Sequence, residues 1–310
     1  MTKVEIQIKP TNRPSIVKFE ANKFISRDRN YEFRNVDEAA VSPLAKQLFY
    51  LPFTKTVYIS GNFIAIERFD IVEWPDVQEE VAEQIENYLN SGEPVIVDTD
   101  NTQDKKVPVT IYAESTPNPA AMKFVANKKL VLAPYEFKNI EEAKPSPLAT
   151  GLFHFPFVKE VFIDENYVSV IKYDIAEWND ITMELREFLR SFIEEGKDIV
   201  TVEAISKQPG GQPAAGAAKA NPAKPDLSHL SETSQQIVAI LDEYVKPAVA
   251  SDGGNIMFDS YDEEAKTVKV ILQGACSGCP SSTFTLKNGI ETMLKNMLHD
   301  KVNEVIAING

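Results

Sequence analysis

Gly274-Ala275-Cys276-Ser277-Gly278-Cys279-Pro280-Ser281-Ser282 holds both cysteines of a 310-residue chain. Just before it, Thr267-Val268-Lys269-Val270-Ile271-Leu272 is rich in β-branched residues and reads as a strand, with Val268, Val270 and Leu272 on one face. Just after it, Leu286, Ile290, Met293, Leu294, Met297 and Leu298 recur at helical spacing. The cysteines therefore occupy a strand-to-helix turn. Pro280 suits a first helical turn, where its missing N–H is not needed. Gly274 and Gly278 let the backbone fold tightly around the pair. Cys279 falls at or near the N-cap, where the helix dipole and orphan N–H groups favour a thiolate, the form that binds metal or attacks disulfides.

Three readings of the pair compete. It can be two ordinary cysteines, with or without a local disulfide. It can be a redox C-x-x-C at a helix N-terminus, as in thioredoxin-like proteins. It can be half of a four-thiolate site, holding either a structural zinc or an iron–sulfur centre. A chain with two cysteines cannot supply four thiolates, so the last reading requires two chains to meet. Against the redox reading, no βαβ unit leads into the motif and no aromatic residue precedes Cys276.

Around this turn the sequence predicts a small head. Ser231 is a candidate N-cap for a helix with Ile237, Ile240, Leu241 and Tyr244 on one face, and Pro247 should end or bend it. Asp252-Gly253-Gly254 reads as a turn. Ile256–Ser260 and Thr267–Leu272 read as a hairpin, and Val302–Ile308 as a third strand. Upstream, residues 206–230 run through Pro, Gly, Ala and Lys with no large apolar residue until Leu227, the composition of a linker.

The first two thirds of the chain repeat themselves at an offset of 104 or 105 residues. Lys18-Phe19 returns as Lys123-Phe124, Ser42-Pro43-Leu44-Ala45 as Ser146-Pro147-Leu148-Ala149, and Trp74 as Trp178. A period this long is a duplicated domain rather than a solenoid. Each copy reads as an opening strand, a Pro-containing turn, a second extended stretch, a short helix, a hairpin and a closing amphipathic helix stopped by Gly92 or Gly196. The predicted fold class is α/β (α+β) in three small domains. Residues 1–100 and 106–205 are the repeats, 206–230 the linker, and 231–310 the head with its three-stranded sheet.

A formal net charge of −14 argues against nucleic acid and anionic membrane as partners. Two cysteines make no disulfide framework, which points to a reducing compartment. With no apolar leader, Arg/Ser-rich segment or long apolar run in the sequence, the expected location is cytoplasmic. The repeats offer one histidine, His154, whose counterpart is Tyr50, so it reads as a core or edge residue. His299 is a weaker ligand candidate than either cysteine, and His229 lies in the linker. No Gly-rich phosphate loop, Ser/His/Asp set or H-E-x-x-H motif is present.

Residues 231–310 resemble the C-terminal domain of the NifU-like (Nfu) iron–sulfur proteins. The signature is Asp252-Gly253-Gly254, the nine residues from Gly274 to Ser282, Thr285-Leu286 and Gly289-Ile290-Glu291. The second repeat, through Ser115-Thr116-Pro117-Asn118-Pro119, Ser146-Pro147-Leu148-Ala149 and Trp178, resembles the Nfu N-terminal domain. In the first repeat Thr11-Asn12-Arg13-Pro14 replaces the Thr-Pro-Asn-Pro turn. The resemblance implies a scaffold or carrier rather than an enzyme. In it Cys276 and Cys279 would share a cluster, usually 4Fe–4S, with the same pair of a second subunit. Its partners would be apo iron–sulfur clients and the cluster-assembly machinery, and the repeats would serve as docking or architectural domains.

Overall fold

The computed structural model describes residues 3–97, 108–201, 231–277 and 280–309; the predicted linker and Cys279 lie outside them. The chain forms two compact units, residues 1–108 and 109–310. The first repeat makes up one, and the second repeat shares the other with the head.

The first repeat runs β1 (Ile6–Pro10), β2 (Ile16–Ala21), β3 (Ser26–Phe33), α1 (Pro43–Leu48), β4 (Thr54–Gly61), β5 (Phe63–Arg68) and α2 (Trp74–Ser91). Its antiparallel sheet has the order β1-β2-β5-β4-β3. Alternation does the sorting. Val17, Phe19 and Ala21 of β2 and Ile64 and Ile66 of β5 are buried, and they share a core with Val81, Ile85 and Leu89 of α2. The other sheet face carries Lys18, Glu20, Ala65 and Glu67.

The second repeat follows the same course through β6 (Ile111–Ser115), β7 (Ala121–Ala126), β8 (Tyr135–Phe137), α3 (Pro147–Leu152), β9 (Val158–Asp164), β10 (Tyr167–Lys172) and α4 (Trp178–Glu194). Its sheet order is β6-β7-β10-β9-β8. The sequence reading had no counterpart of β3 or β8. Ser-Arg-Asp-Arg-Asn-Tyr-Glu-Phe has little apolar periodicity, and its pairing with β4 shifts register between Ser26 and Tyr31. Polar side chains and a bulge are normal on an edge strand, and they hide it from a pattern search.

The shared motifs have local physical roles. Ser42 and Ser146 are fully buried N-caps of α1 and α3. Each hydroxyl accepts a helix N–H, from Ala45 (3.1 Å) or Ala149 (3.0 Å). Each also donates to a carbonyl after the closing helix, Val95 (2.8 Å) or Ile199 (2.6 Å). The tryptophans begin the closing helices and donate their indole N–H to Ser15 O (3.0 Å) and Pro119 O (2.9 Å). Gly92 and Gly196 adopt φ of 81° and 72°, the left-handed conformation that ends a helix.

In the head, Ser231 caps α5 (Glu232–Ile240), accepting the N–H of Ser234. Pro247 bends the path rather than ending it. Leu241–Val245 relaxes into a π-helical turn, and α6 (Lys246–Ser251) continues beyond it. A π turn accommodates the proline ring and the hydrogen bond it cannot donate. β11 (Gly254–Asp262) and β12 (Thr267–Gly274) form the antiparallel hairpin. α7 (Pro280–Leu298) then crosses over to β13 (Glu304–Asn309), which pairs parallel to β12. An antiparallel hairpin thus leads into the cysteine motif, and a parallel crossover leads out of it.

Replacing Ser42 or Ser146 with Ala should cost about 1–3 kcal/mol of its own unit's stability, because one change removes a cap and strands a carbonyl. Urea denaturation of the two variants, followed by probes in each unit, should show the loss confined to the unit carrying the change.

Candidate functional site

The cysteine turn rests on two glycines that face each other across the hairpin. Gly254 and Gly274 are register partners at the start of β11 and the end of β12. Gly274 leaves the strand at φ 64°, Ala275 donates its N–H to Gly253 O (3.1 Å), and Ser277 closes back on Gly274 O (3.0 Å). Cys276 is 6% exposed and packs into the head's core cluster. A Cβ on Gly254 would lie 2.7 Å from the Cys276 sulfur and 2.7 Å from Gln273 O. The second glycine of Asp252-Gly253-Gly254 is therefore what makes room for the thiol. Helix α7 begins at Pro280, as predicted. Cys279, the preceding residue, is outside the described residues, so its distance to Cys276 is not part of the geometry.

The outer sheet face of the second repeat lies against this turn. Asn118 donates its side-chain amide to Ala275 O (3.1 Å) and, at longer range, to Ser277 O (3.5 Å). Glu136 accepts the N–H of Gly274 (2.8 Å). The hydroxyls of Tyr167 and Ser169 donate to Gly254 O (2.9 Å) and Gly253 O (2.6 Å). Lys123 donates to Ser251 O (3.2 Å). Between these polar contacts, Ala121 and Ile171 pack on Ala275, and a Cβ on Gly274 would come within 2.7 Å of the Phe162 ring. The linker composition of residues 206–230 gives no sign of this contact, yet the structure sets the second repeat on the turn that carries Cys276.

Burial tunes the ionisable groups here. It pushes Tyr167 well above the usual phenol range, helped by the nearby charges of Asp164 and Cys276, so the hydroxyl stays a donor to Gly254. Burial also raises Glu136, against the opposing hydrogen bond from Gly274. Asp164 goes from 3.8 to about 6, chiefly through burial, opposed by the Glu165 N–H and the Tyr167 hydroxyl.

Of the other predicted candidates, His154 and His299 are exposed, at the end of α3 and past α7 respectively, while His229 lies outside the described residues. Among the described residues no group of three or more His, Cys, Asp and Glu is placed to hold a metal. A complete donor set therefore needs Cys279 and ligands from elsewhere. Sequence reasoning missed Asn118, Lys123, Glu136, Tyr167 and Ser169 as neighbours of the turn. A signal existed in the differences between the repeats: Ser169 and Ile171 stand where the first has Ala65 and Glu67.

A family model described as the scaffold protein Nfu/NifU N terminal matches residues 6–92 and again 111–196, and the NifU-like domain matches 237–306. The chain belongs to the Nfu/NifU family. The NifU-like protein 4, mitochondrial, of Arabidopsis thaliana is 35% identical over 191 residues, covering 61% of this chain and 63% of that protein. The NFU1 iron-sulfur cluster scaffold homolog, mitochondrial, of Drosophila willistoni is 34% identical over 187 residues, 60% of this chain and 59% of its own length. The mitochondrial NifU-like protein of Saccharomyces cerevisiae is 34% identical over 216 residues, 64% of this Nfu/NifU chain and 80% of its own. The chain thus spans under two thirds of the plant and fly relatives. Their names overturn the cytoplasmic expectation and point to the mitochondrion. A low cysteine count sets a redox condition, and a reducing interior is not particular to the cytoplasm. No described helix is long and apolar enough to cross a membrane.

The raised Asp164 carboxyl gives a pH test. Protonation favours the folded unit, so its contribution is complete below about pH 4 and is lost as pH rises through about 6. Asp164→Asn should stabilise the 109–310 unit by about 1–2 kcal/mol at pH 7.5, with the gain vanishing near pH 4. Denaturation curves of the full chain at the two pH values measure it.

Proposed function

We propose that this Nfu/NifU chain is an iron–sulfur cluster scaffold or carrier. Cys276 and Cys279 act as thiolate ligands, and the same pair from a second chain completes four. The cluster, 4Fe–4S in this reading, is cargo to be handed to apo-proteins, so the role is binding and transfer rather than turnover. The observation that carries the reading is the cysteine turn itself. A strand ends in a glycine pair shaped to admit the Cys276 sulfur, and a long helix begins one residue after Cys279. Thiolates suit iron, and a helix N-terminus favours an anionic centre. The family match, and the fly relative named an iron-sulfur cluster scaffold homolog, favour this cargo over zinc or disulfide exchange.

Transfer follows from ligand exchange. An acceptor thiolate replaces one of the four at a time, and each departing cysteine takes up a proton. In the same proposal residues 1–100 and 106–205 choose partners and residues 231–310 hold the cargo, joined by 206–230. The partners are apo iron–sulfur clients, the assembly machinery that supplies the cluster, and a second copy of the chain. Neither nucleic acid nor membrane is among them, in keeping with a net charge of −14.

Anaerobic reconstitution with iron and sulfide, followed by metal analysis and sedimentation, tests this. The expected product is brown, dimeric and carries about one cluster per two chains, as four thiolates require. Cys276→Ala and Cys279→Ala should each lose the cluster while keeping the fold by circular dichroism. Undiminished iron and sulfide in either variant would remove that residue from the ligand set, and stoichiometric zinc with no visible chromophore would favour the structural zinc dimer.

A further inference from the structure

The outer sheet face of the second repeat is a built surface, and the first repeat lacks it. Four side chains of this face, Lys123, Glu136, Tyr167 and Ser169, and Asn118 in the turn before β7 reach backbone groups on both sides of the cysteine turn. Ile171 adds the apolar contact to Ala275. All six residues of strand β10 are consequently buried, although an antiparallel strand with one covered face alternates. Its counterpart β5 keeps partly exposed positions at Phe63 and Glu67.

Aligned on the repeat, the first copy keeps Lys18 and Glu32 but replaces the rest. Arg13 stands for Asn118, Phe63 for Tyr167, Ala65 for Ser169 and Glu67 for Ile171. Two hydroxyl donors are gone, a guanidinium replaces an enclosed amide, and a carboxylate occupies the apolar contact. In the first repeat Glu67 is paired with Lys55 (2.9 Å). That face cannot receive the glycine-lined backbone in the same way.

We propose that the outer face of the second repeat is a recognition surface for the cluster-free cysteine turn of its own chain, and that it competes with a second chain for that turn. The competition rests on the scaffold reading above; the recognition surface does not. The two neighbours of Cys276 are covered in the docked arrangement: Ala275, 2% exposed, packs with Ala121 and Ile171, and Ser277, 5% exposed, has its carbonyl facing Asn118, while Cys276 between them packs into the head's core. A centre shared by two chains must be approached at this turn from outside, so the repeat has to leave before the second chain arrives. Thiol access and cluster uptake then scale with the undocked fraction, as any reaction confined to a minor state does. The side chains of the surface bind backbone carbonyls and one N–H, so what they recognise is the Gly253-Gly254 and Gly274-Ala275 backbone rather than a side-chain sequence.

The test transplants the first repeat's residues into the second, at positions where the first repeat already folds with them: Asn118→Arg, Ser169→Ala and Ile171→Glu together in the full chain. The first readout is the rate of Cys276 alkylation by iodoacetamide in the cluster-free protein, mapped by peptide mass spectrometry. It should rise about tenfold or more, and in proportion to the undocked fraction. The reverse change on the first repeat, Ala65→Ser with Glu67→Ile, should leave the rate unchanged. Circular dichroism and a retained cooperative melt establish that the triple variant is folded; Tyr167→Phe, which removes one hydroxyl only, gives a milder second variant expected to move in the same direction. The second readout is the initial rate of cluster uptake under anaerobic reconstitution, expected to rise with the alkylation rate. Unchanged alkylation in both folded variants would overturn the recognition surface, whatever the protein binds. Faster alkylation with unchanged uptake would overturn the competition. If alkylation rises and even the wild-type chain takes up no cluster, the surface stands and the scaffold reading is what fails.

Discussion

The cysteine turn sits where the β11–β12 ladder ends, and backbone groups at that end bond side chains instead of a further strand. At the mouth of the hairpin, carbonyls of Ser251, Gly253, Gly254 and Ala275 meet side chains of the second repeat, and Gly253 O accepts the Ala275 N–H as well. Buried backbone oxygens must find donors, and here side chains of a neighbouring sheet supply them. The glycines are what make such an arrangement possible. Gly254 has no room for a Cβ beside the Cys276 sulfur, and Gly253, at φ 80°, would drive one into Ser169 and Lys123. The same absence of side chains that admits the thiol also bares the carbonyls, so the site's sulfur and its docking contacts have a common cause.

A contact of this composition can come apart at modest cost. Its apolar part is small, two alanines with Ile171 and Phe162 against the turn, and its polar part pairs side chains with main-chain groups that water can also serve. Interfaces between domains that move have this character, whereas permanent ones are larger and more apolar. The internal cores differ sharply. The second repeat's core gathers Phe124, Leu148, Leu152, Val161, Ile163 and Leu185, all at most 1% exposed, and does not depend on the head. Undocking therefore leaves both partners with intact cores.

Much of the framework was legible in the sequence. Strict three- and four-residue spacing marked the closing helices, the left-handed positions of Gly92 and Gly196 marked where they end, and the strand before Cys276 was plain from Val268, Val270 and Leu272. The edge strands β3 and β8 were not, because an edge needs no apolar alternation. The turn's cysteines were also visible, since soft ligands at close spacing before a proline and a helix are a local pattern. The residues that hold the turn were invisible for the opposite reason: Asn118 and Ala275 are 157 residues apart in sequence, and a side chain that binds backbone imposes no recognisable partner motif. What the sequence did carry was an asymmetry between two copies of one domain. Their inner faces agree, with Phe19 answering Phe124 and Ile64 answering Val168, while their outer faces disagree at Glu67 and Ile171. Differences confined to one face of a duplicated sheet are a sign that only one copy has something to cover.

Docking within a chain and pairing between chains also differ in their dependence on concentration. Two modules on one chain meet at an effective concentration that reaches ~mM, while a second chain must compete at its actual concentration. Without cargo the intramolecular contact is favoured at micromolar protein, since it needs no second chain. On the scaffold proposal a cluster would change the balance, because thiolate–iron bonds would exist in the paired state and not in the docked one, and only a ligand with differential affinity shifts such an equilibrium. The cargo itself would then supply the energy that parts the head from its repeat. Release of the cargo to an acceptor would remove that energy, and the turn would return to the surface carrying Tyr167 and Ser169. On that proposal one copy of the duplicated domain would close the empty site without any contact to the cluster.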